Sequence, residues 1–413
     1  MERAELSERL AARRPRTRSY RPVVVCERDP LRFQAAFAAG VAGAGLVFLA
    51  DPAWGAAERA QFRALVERAP DRPAPERGWL CIPTGGSSGI LKLARHDGET
   101  LAAAVGGFSR HFDCPLVSAC GMLPLHHVSG LMGWLRAALT GGSFVSARWS
   151  DVECGMLPAV PEGDAFVSVV PTQLQRLLAR ARTRAWLRRF RAVFVGGGPA
   201  WPQLLDDAAR ANVPLSLTYG MTETAAMVTA LLPEAFAAGS RSCGRPLPHV
   251  RVRTRRDGTV TVAGESLFRG YYPAWVRRRA PWVTQDAGFF DPSGALHIEG
   301  RRDSLIISGG EKIDPLQVES VLRATGEFAD IAVLGVPDSE WGAAVVACYP
   351  MGEVSPDWGK VRRRLRRELA AYRRPKRYVG VANWPRNAQG KLNRAILLRL
   401  AQEQSALGRS VPG

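Results

Sequence analysis

The sequence predicts an α/β protein, in which a large N-terminal domain of parallel sheets flanked by helices precedes a small α+β domain. Three observations lead to this fold class. The chain has 413 residues, more than one average domain of about 150 residues. Short apolar segments alternate with helix-like segments from residue 79 onward, and the pattern changes near Gly244 and again beyond Gly300. We therefore expect a large domain over residues 1–303 and a small domain over residues 304–413.

The elements follow one another along the chain in βα order. Residues 30–70 are typical of a helix, a strand, a turn and a helix, and a Pro-rich linker follows them. Segments such as WLCIP, AFVSVVP and AVFVGGG then alternate with helical segments, which indicates a mostly parallel sheet. From about residue 244 to 300, DG and SG dipeptides mark hairpins and predict a β-rich subdomain. Beyond residue 304, strands and helices alternate again in a separate small domain.

The formal net charge of +18 is the unusual feature of the composition. Arginines are spread over several segments, so a solvated Arg-rich surface is favoured over a nucleic-acid-binding stripe. The longest apolar stretch, residues 37–50, is shorter than the roughly 20 residues that a bilayer requires, which argues against stable membrane insertion. Seven cysteines without a CxxC pair favour a reducing compartment, and we expect a cytoplasmic protein.

A glycine-rich loop follows the WLCIP segment. Its glycines let the backbone approach a phosphate closely, and its hydroxyls and N–H groups can donate to phosphate oxygens. The candidate ATP-binding residues of this loop are Thr84, Gly85, Gly86, Ser87, Ser88, Gly89 and Lys92. The loop does not match the Walker pattern GxxxxGK followed by Ser or Thr. It does match GxSxG, so a hydrolase nucleophile elbow is an alternative, with Asp291 and His297 as partners; the strand-like ILKLA after it speaks against that reading.

Two further motifs lie after apolar strands. In TYGMTET, Tyr219 can stack on a base, Thr222 can bind a phosphate and Glu223 can bind Mg²⁺. A strand-to-helix turn with a capping threonine is the alternative for this segment. The glycine run of VGGGPA fails the dinucleotide fingerprint but could form one wall of an adenine slot. The remaining candidate nucleotide-binding residues of the two motifs are Gly220, Met221, Gly197, Gly198 and Pro199.

The order of these motifs resembles the adenylate-forming superfamily of acyl-CoA synthetases, carrier-loading adenylation domains and luciferases. The resemblance covers about residues 79–394 and rests on TGGSSGILK, LPLHHVSG, VGGGPA, TYGMTET, GESLFRGYY, WVTQDAGFFDPSG, GRRDSLIISGGEKIDP, VPDSEWG and PRNAQGKLNR. Within the superfamily, DPAWG, LPLHHVSGLMGWLRAALTGG and GGGPAWPQLL look like the short o-succinylbenzoate–CoA ligases of menaquinone and phylloquinone synthesis. The resemblance implies that ATP and Mg²⁺ activate a carboxylic acid as acyl-AMP, which coenzyme A then accepts. A ligase for another aryl or fatty acid, or a carrier-loading enzyme, is the alternative.

The resemblance also assigns roles to residues of the second half of the chain. Asp286 looks like the acidic residue that holds the ATP ribose, and Arg301 like an arginine that grips the ribose or phosphate. Asp303 falls where the family hinges between its large and its small, mobile domain, and Lys391 resembles the catalytic lysine. The family is also compatible with a homodimer.

The acid-binding pocket is expected from the segment LPLHHVSGLMGWLRA. His127 and Ser129 are candidate pocket residues, together with Gly197 and Met221, and Arg136 could pair with the benzoate of the acid, although a helical arginine is more often at the surface. The family usually carries an aromatic residue where His126 stands, so this chain departs from the pattern there.

Overall fold

A computed structural model of the chain describes residues 1–10, 20–69, 77–84, 91–276, 280–301, 305–352, 355–386, 392–406 and 411–412. The chain divides into two units. The first contains residues 1–200, 204–284 and 288–298, and the second contains residues 201–203, 285–287 and 299–413.

The first unit begins with a four-stranded sheet of order β1-β2-β3-β4. Strands β1, β2 and β3 are parallel, and β4 is antiparallel to β3. The elements of this region are α1 (Arg3–Arg9), β1 (Val23–Val25), α2 (Pro30–Ala42), β2 (Val47–Leu49), α3 (Ala56–Val66), β3 (Leu80–Thr84) and β4 (Lys92–His96). Asp29 caps α2 by accepting a hydrogen bond from the Arg32 N–H, which explains why the helix begins at Pro30. Strand β4, not a helix, is the first described element after the glycine loop, which disfavours a hydrolase elbow.

A seven-stranded sheet forms the centre of the first unit. Its elements are α4 (Gly98–His111), β5 (Ser118–Gly121), α5 (Val128–Thr140), β6 (Phe144–Ser146), α6 (Trp149–Glu153), β7 (Ala165–Val169), α7 (Pro171–Leu178), α8 (Ala181–Leu187), β8 (Ala192–Val195), α9 (Pro202–Arg210), β9 (Leu215–Met221), β10 (Ala226–Ala230), α10 (Pro233–Ala237) and β11 (Arg245–Pro246). The strand order is β11-β10-β9-β8-β7-β5-β6. Strands β5 to β9 pair in parallel, whereas β10 runs antiparallel to β9. The parallel sheet flanked by helices confirms the predicted fold class.

The first unit also contains most of an antiparallel sheet of order β12-β13-β14-β15. Its strands are β12 (Val250–Thr254), β13 (Thr259–Gly264), β14 (Trp282–Phe290) and β15 (Leu296–Arg301). Gly258 and Gly294 have positive φ angles of 80° and 79°, a conformation that favours glycine in the turns between paired strands. These are the hairpins that the DG and SG dipeptides predict.

The second unit is built on a sheet of order β18-β19-β20-β21 and a two-stranded ribbon β16-β17. Its elements are β16 (Ile306–Ser308), β17 (Glu311–Ile313), α11 (Pro315–Arg323), β18 (Ala332–Asp338), β19 (Gly342–Pro350), α12 (Trp358–Glu368), β20 (Arg377–Val381), α13 (Arg394–Ala406) and β21 (Val411–Pro412). Buried side chains such as Val318, Val345 and Tyr378 form its apolar core. Across the described parts of both units, we find no helix with the length and apolar character needed to span a membrane.

Candidate active site

The turn after β9 carries two of the residues that the sequence singles out. Residues Thr222–Thr224 form one turn of 3₁₀-helix, and the Thr224 hydroxyl accepts from the Met221 N–H at 3.1 Å and donates to the Ala226 carbonyl at 2.7 Å. Ala225 follows in the left-handed conformation, with φ of 52°, and reverses the chain into β10. A Cβ atom on Gly220 would lie 2.1 Å from the Ala226 carbonyl oxygen, so the close pairing of β9 and β10 requires glycine there. The turn therefore fixes Thr222 and Glu223 at the carboxyl end of strand β9.

Glu223 lies at the meeting point of three segments. Its side chain is buried and accepts hydrogen bonds on Oε1 from the Tyr271 hydroxyl at 2.6 Å and the Thr84 hydroxyl at 3.3 Å. The Nζ atom of Lys92 lies 5.3 Å from the centroid of the Tyr271 ring. The structure thus brings together Thr84, Lys92 and Glu223, which the sequence predicts for ATP binding. Tyr271 was not predicted, although it lies in the GESLFRGYY motif that contributed to the resemblance.

A buried histidine contacts the backbone carbonyl of Thr222. His96 Nε2 lies 2.7 Å from the Thr222 carbonyl oxygen, and Nδ1 lies 3.1 Å from the Thr100 hydroxyl. Burial lowers the pKa of His96 to about 4, so the ring is neutral near pH 7 and its Nε2–H donates to the carbonyl. His96 is therefore a positioning residue for the Thr222 turn, and the sequence analysis missed it.

The segment around His96 is held by a carboxylate with several partners. Asp97 caps α4 by accepting from the Thr100 N–H, and it also accepts from the Gly78 N–H, each at 3.0 Å. Arg269 Nε donates to the same carboxylate at 2.7 Å. These contacts connect α4 to the GESLFRGYY segment, which follows the β12-β13 hairpin and contains both Arg269 and Tyr271.

A cavity lies beside α5, on the face that carries Ser129, Gly133 and Arg136. These positions are separated by four and three residues and so point to one side of a helix. Among the described residues, and apart from the backbone of α5 itself, no heavy atom lies within 4 Å of the place where a Cβ on Gly133 would stand. The walls are mostly apolar and include Phe108, Val117, Ala119, Met122, Leu123, Phe166 and Phe194. Phe166 and Phe194 are stacked, with their ring centroids 5.5 Å apart. The face therefore combines aromatic walls with one cationic group.

Arg136 is that cationic group. Its side chain is 4% exposed, and its guanidinium lies 4.3 Å from the centroid of the Phe108 ring. Among the residues that the structure describes, no Asp or Glu forms an ion pair with it, and its Nε has no hydrogen-bond partner. Burial lowers the pKa of Arg136 to about 9, because the charged form lacks solvation. An anion that entered the cavity would compensate this charge.

The other predicted residues are distributed over several elements. Tyr219, Gly220 and Met221 end strand β9, and Gly197, Gly198 and Pro199 form the loop after β8. Asp286 lies on β14, and Arg301 is the last residue of β15. The cavity is lined by Ser129 and Arg136 but not by His127, Gly197 or Met221; His127 is the N-cap of α5, and its Nε2 lies 3.9 Å from Asp51 Oδ2. Gly85, Gly86, Ser87, Ser88, Gly89, Asp303 and Lys391 lie outside the described residues.

Comparison with known proteins identifies relatives of this chain. Curated 2-succinylbenzoate–CoA ligases are similar to it: that of Oceanobacillus iheyensis is 34% identical over 288 residues, or 66% of this chain and 59% of the relative. The enzyme of Bacillus licheniformis is 32% identical over 327 residues, or 75% of this chain and 67% of the relative. The chain thus matches about three fifths to two thirds of the length of these relatives.

Solved structures share the fold. The o-succinylbenzoate CoA synthetase (MenE) of Bacillus subtilis, in complex with the acyl-adenylate intermediate OSB-AMP, superimposes with a TM-score of 0.76 at 23% identity, over 96% of this chain and 92% of that one. ATP-bound MatB of Rhodopseudomonas palustris gives a TM-score of 0.77 at 23% identity, over 97% and 93% of the two chains. The chain therefore has the architecture of these proteins.

Family models match both parts of the chain. The model of the AMP-binding enzyme matches residues 5–272, and the model of the AMP-binding enzyme C-terminal domain matches residues 317–391. The first match contains the Thr84, Glu223 and Arg136 sites, and the second lies in the unit that follows residue 299. Since the first model alone covers more than half of the 413 residues, the chain belongs to the family of AMP-binding enzymes, as the order of its motifs indicates.

Proposed function

We propose that this chain is an ATP-dependent acid–thiol ligase that activates o-succinylbenzoate as acyl-AMP and transfers the acyl group to coenzyme A. The products would be o-succinylbenzoyl-CoA, AMP and pyrophosphate. The names of the curated relatives support the reaction and the substrate. The buried guanidinium of Arg136 in an aromatic-walled cavity is the structural observation that carries the choice of acid.

o-Succinylbenzoate has two carboxylates, of which only the succinyl one is activated. The ring carboxylate stays charged throughout and requires a cationic partner once it leaves water. Arg136 offers planar N–H donors that suit a carboxylate, and Phe166 and Phe194 offer aromatic surface for the ring. A fatty acid would leave Arg136 buried and uncompensated, which favours an aryl acid with a second carboxylate over an aliphatic one.

The cavity must open to accept this acid. Its free volume is about 20 Å³, room for about one water molecule. Gly133 leaves open space on the same face of α5, and the side chains of Met122 and Leu123 form part of the cavity wall. We expect these flexible side chains to change rotamer when the acid binds.

The Glu223 site fits Mg²⁺ by its donor chemistry. Both hydrogen bonds to Glu223 fall on Oε1, so among the described residues Oε2 accepts none and can face a hard cation that prefers oxygen ligands. Mg²⁺ bound there would neutralise charge on the ATP phosphates. Thr222 and Thr84 would contribute hydroxyls to the same phosphates, and Tyr271, which donates to Glu223, would orient the carboxylate. The residues of this chain would thus position ATP for attack by the acid at the α-phosphorus, with pyrophosphate as the leaving group.

The proposed roles of residues in the second unit rest on the family resemblance. Lys391 would place an ammonium between the attacking carboxylate and the α-phosphate, where negative charge is redistributed. Asp286 and Arg301 would hold the ribose and phosphate of the nucleotide. A rotation of residues 304–413 about Asp303 would then exchange Lys391 for the coenzyme A thiol, which displaces AMP.

The test is pyrophosphate release by the purified protein with ATP, Mg²⁺ and coenzyme A. The acids compared are o-succinylbenzoate, benzoate, acetate and decanoate, with a reaction without acid as the control. We expect release with o-succinylbenzoate alone, together with loss of the coenzyme A thiol. Release with another acid would refute o-succinylbenzoate as the substrate but would agree with the proposed reaction. No release with any acid would refute both the substrate and the reaction.

A further inference from the structure

Three side chains of types that can bind a metal ion meet in the first unit, and none of them lines the Arg136 cavity. Asp51 follows strand β2, and His126 and His127 immediately precede helix α5. Asp51 and His126 are buried, with 7% and 5% of their surface exposed. His126 Nε2 lies 3.4 Å from Asp51 Oδ1, and His127 Nε2 lies 3.9 Å from Asp51 Oδ2. Both imidazoles therefore direct the same ring nitrogen at the two oxygens of one carboxylate.

The separation of these atoms suits a metal ion better than a hydrogen bond. One ligand atom from each of the three residues lies within 4.8 Å of the others. Around a tetrahedral ion with bonds of about 2.1 Å, ligand atoms lie about 3.4 Å apart, so only a modest closure of the cluster is needed. Among the described residues, the Nε2 atom of His126 has no hydrogen-bond partner, although it is buried and close to Asp51. A metal ion would bind this nitrogen more closely than Asp51 does, since Asp51 Oδ1 lies 3.4 Å away.

We propose that Asp51, His126 and His127 form a site for a divalent transition-metal ion such as Zn²⁺ or Co²⁺. Two imidazole nitrogens and one carboxylate oxygen match the ligand preference of these ions. A single carboxylate gives too few oxygens for Ca²⁺ or Mg²⁺, which prefer all-oxygen sites.

The surroundings supply an orienting contact and an access route. The Ala53 N–H donates to Asp51 Oδ1 at 2.8 Å and so fixes the carboxylate, as outer partners commonly do for metal ligands. Asp51 also lines a cavity of about 320 Å³, together with Cys26, Trp54 and Arg59. This cavity gives an ion a path to the carboxylate and leaves room for a water molecule as the fourth ligand.

A metal ion at this site would connect the end of β2 to the start of α5. His127 is the N-cap residue of α5, and two positions further along the helix Ser129 begins the face that lines the Arg136 cavity. The ion would therefore be structural, and would hold the start of the helix that presents the acid-binding face. This role does not depend on which acid the protein activates.

The experiment is metal titration of the full-length, untagged and chelator-stripped protein. Co²⁺ binding is followed by its visible d–d absorption, and Zn²⁺ binding is measured by calorimetry. The variants are His126→Phe, which keeps a planar ring, and Asp51→Asn, which keeps the size of the side chain. His297→Phe is the matched control, because His297 Nε2 also faces an aspartate, with 2.9 Å to Asp291 Oδ2, but without a second histidine.

We expect one ion per chain in the wild type and in His297→Phe. Loss of an outer partner already costs about 10–100-fold in metal affinity, so loss of a direct ligand in either site variant should cost at least as much. Zn²⁺ should also raise the melting temperature of the wild type but not that of His126→Phe. The thermal melt shows in one measurement that the variant is folded and whether it binds the ion. If the wild type binds no ion, or if both site variants bind as tightly as His297→Phe, the proposal is wrong and the three residues form a metal-free cluster.

Discussion

Replacement of Arg136 by methionine should make the substrate-free protein more stable while it removes recognition of the acid. Burial lowers the pKa of Arg136 to about 9, well below the usual range of a guanidinium, and at 1.36 kcal/mol per pKa unit this corresponds to roughly 4–5 kcal/mol against the charged form. Loss of the contact with the Phe108 ring offsets about 1–2 kcal/mol of this. We therefore expect the free energy of unfolding to rise by about 2–4 kcal/mol at pH 7. Because the folded-state pKa lies below the unfolded one, the gain is full below pH 9 and decreases progressively as the pH rises from 9 toward the unfolded-state pKa.

Catalysis should change in the opposite direction. Removal of one partner of a buried charge pair costs about 2–5 kcal/mol, so kcat/KM for o-succinylbenzoate should fall by roughly 30- to 5000-fold. The matched substrate is 4-oxo-4-phenylbutanoate, which keeps the reacting carboxylate and lacks the ring carboxylate. Its kcat/KM should be nearly the same for both proteins. The kcat/KM of Arg136→Lys for o-succinylbenzoate should lie between the values of the wild type and Arg136→Met, because lysine keeps the charge but not the planar donor pair.

Urea denaturation and pyrophosphate release with both acids measure these effects. The reasoning is refuted if Arg136→Met loses the same factor with both acids, or if o-succinylbenzoate is used as well as by the wild type. A less stable variant would show that the guanidinium is compensated in the free protein.

Three other predictions concern the phosphate site and the buried histidines. Glu223→Gln should lower the rate of pyrophosphate release by about 10²–10³-fold with little change in stability; an unchanged rate over a range of Mg²⁺ concentrations would contradict the assigned role. Lys391→Ala should lose acyl-AMP formation but still form thioester from supplied acyl-AMP. An equal loss of both steps in a quenched-flow assay would exclude a role of Lys391 in the first step alone. Burial lowers the pKa of His96 and of His249 to about 4, so the unfolded state binds more protons between pH 6.5 and 4. The free energy of unfolding should therefore fall on acidification by up to about 1.4 kcal/mol per pH unit for each histidine, and a flat urea-denaturation profile from pH 7 to 5 would contradict this.

The parts of the fold that depend on local pattern could be predicted from the sequence. Apolar runs that end in Gly, Pro or Thr gave the parallel strands, and the TYGMTET segment was correctly placed at the end of a strand. The pattern of apolar residues is sufficient to predict these strands, because their side chains contact the sheet to which the strands themselves belong. The positive φ angles at Gly258 and Gly294 follow from the same local chemistry.

Contacts between distant residues could not be predicted in this way. Tyr271 reaches Glu223 across 48 positions and His96 reaches Thr222 across 126, and neither pairing leaves a periodic signal. The burial of Arg136 had a signal that was not used: α5 is apolar on nearly all sides, so its one arginine could not face water. The roles of the glycine loop, Asp303 and Lys391 remain predictions, since most of these residues lie outside the described part of the chain.

In the proposed function, the residues that select the acid and the residues that bind the phosphates belong to separate elements of secondary structure. Ser129, Gly133 and Arg136 belong to one helix of 13 residues, whereas Thr222 and Glu223 belong to the turn between β9 and β10. Evolution could therefore exchange the helix and acquire a new acid without disturbing the ATP chemistry. The same division offers protein engineers a short cassette, in which a library confined to one face of α5 would sample acid preference at constant catalytic machinery.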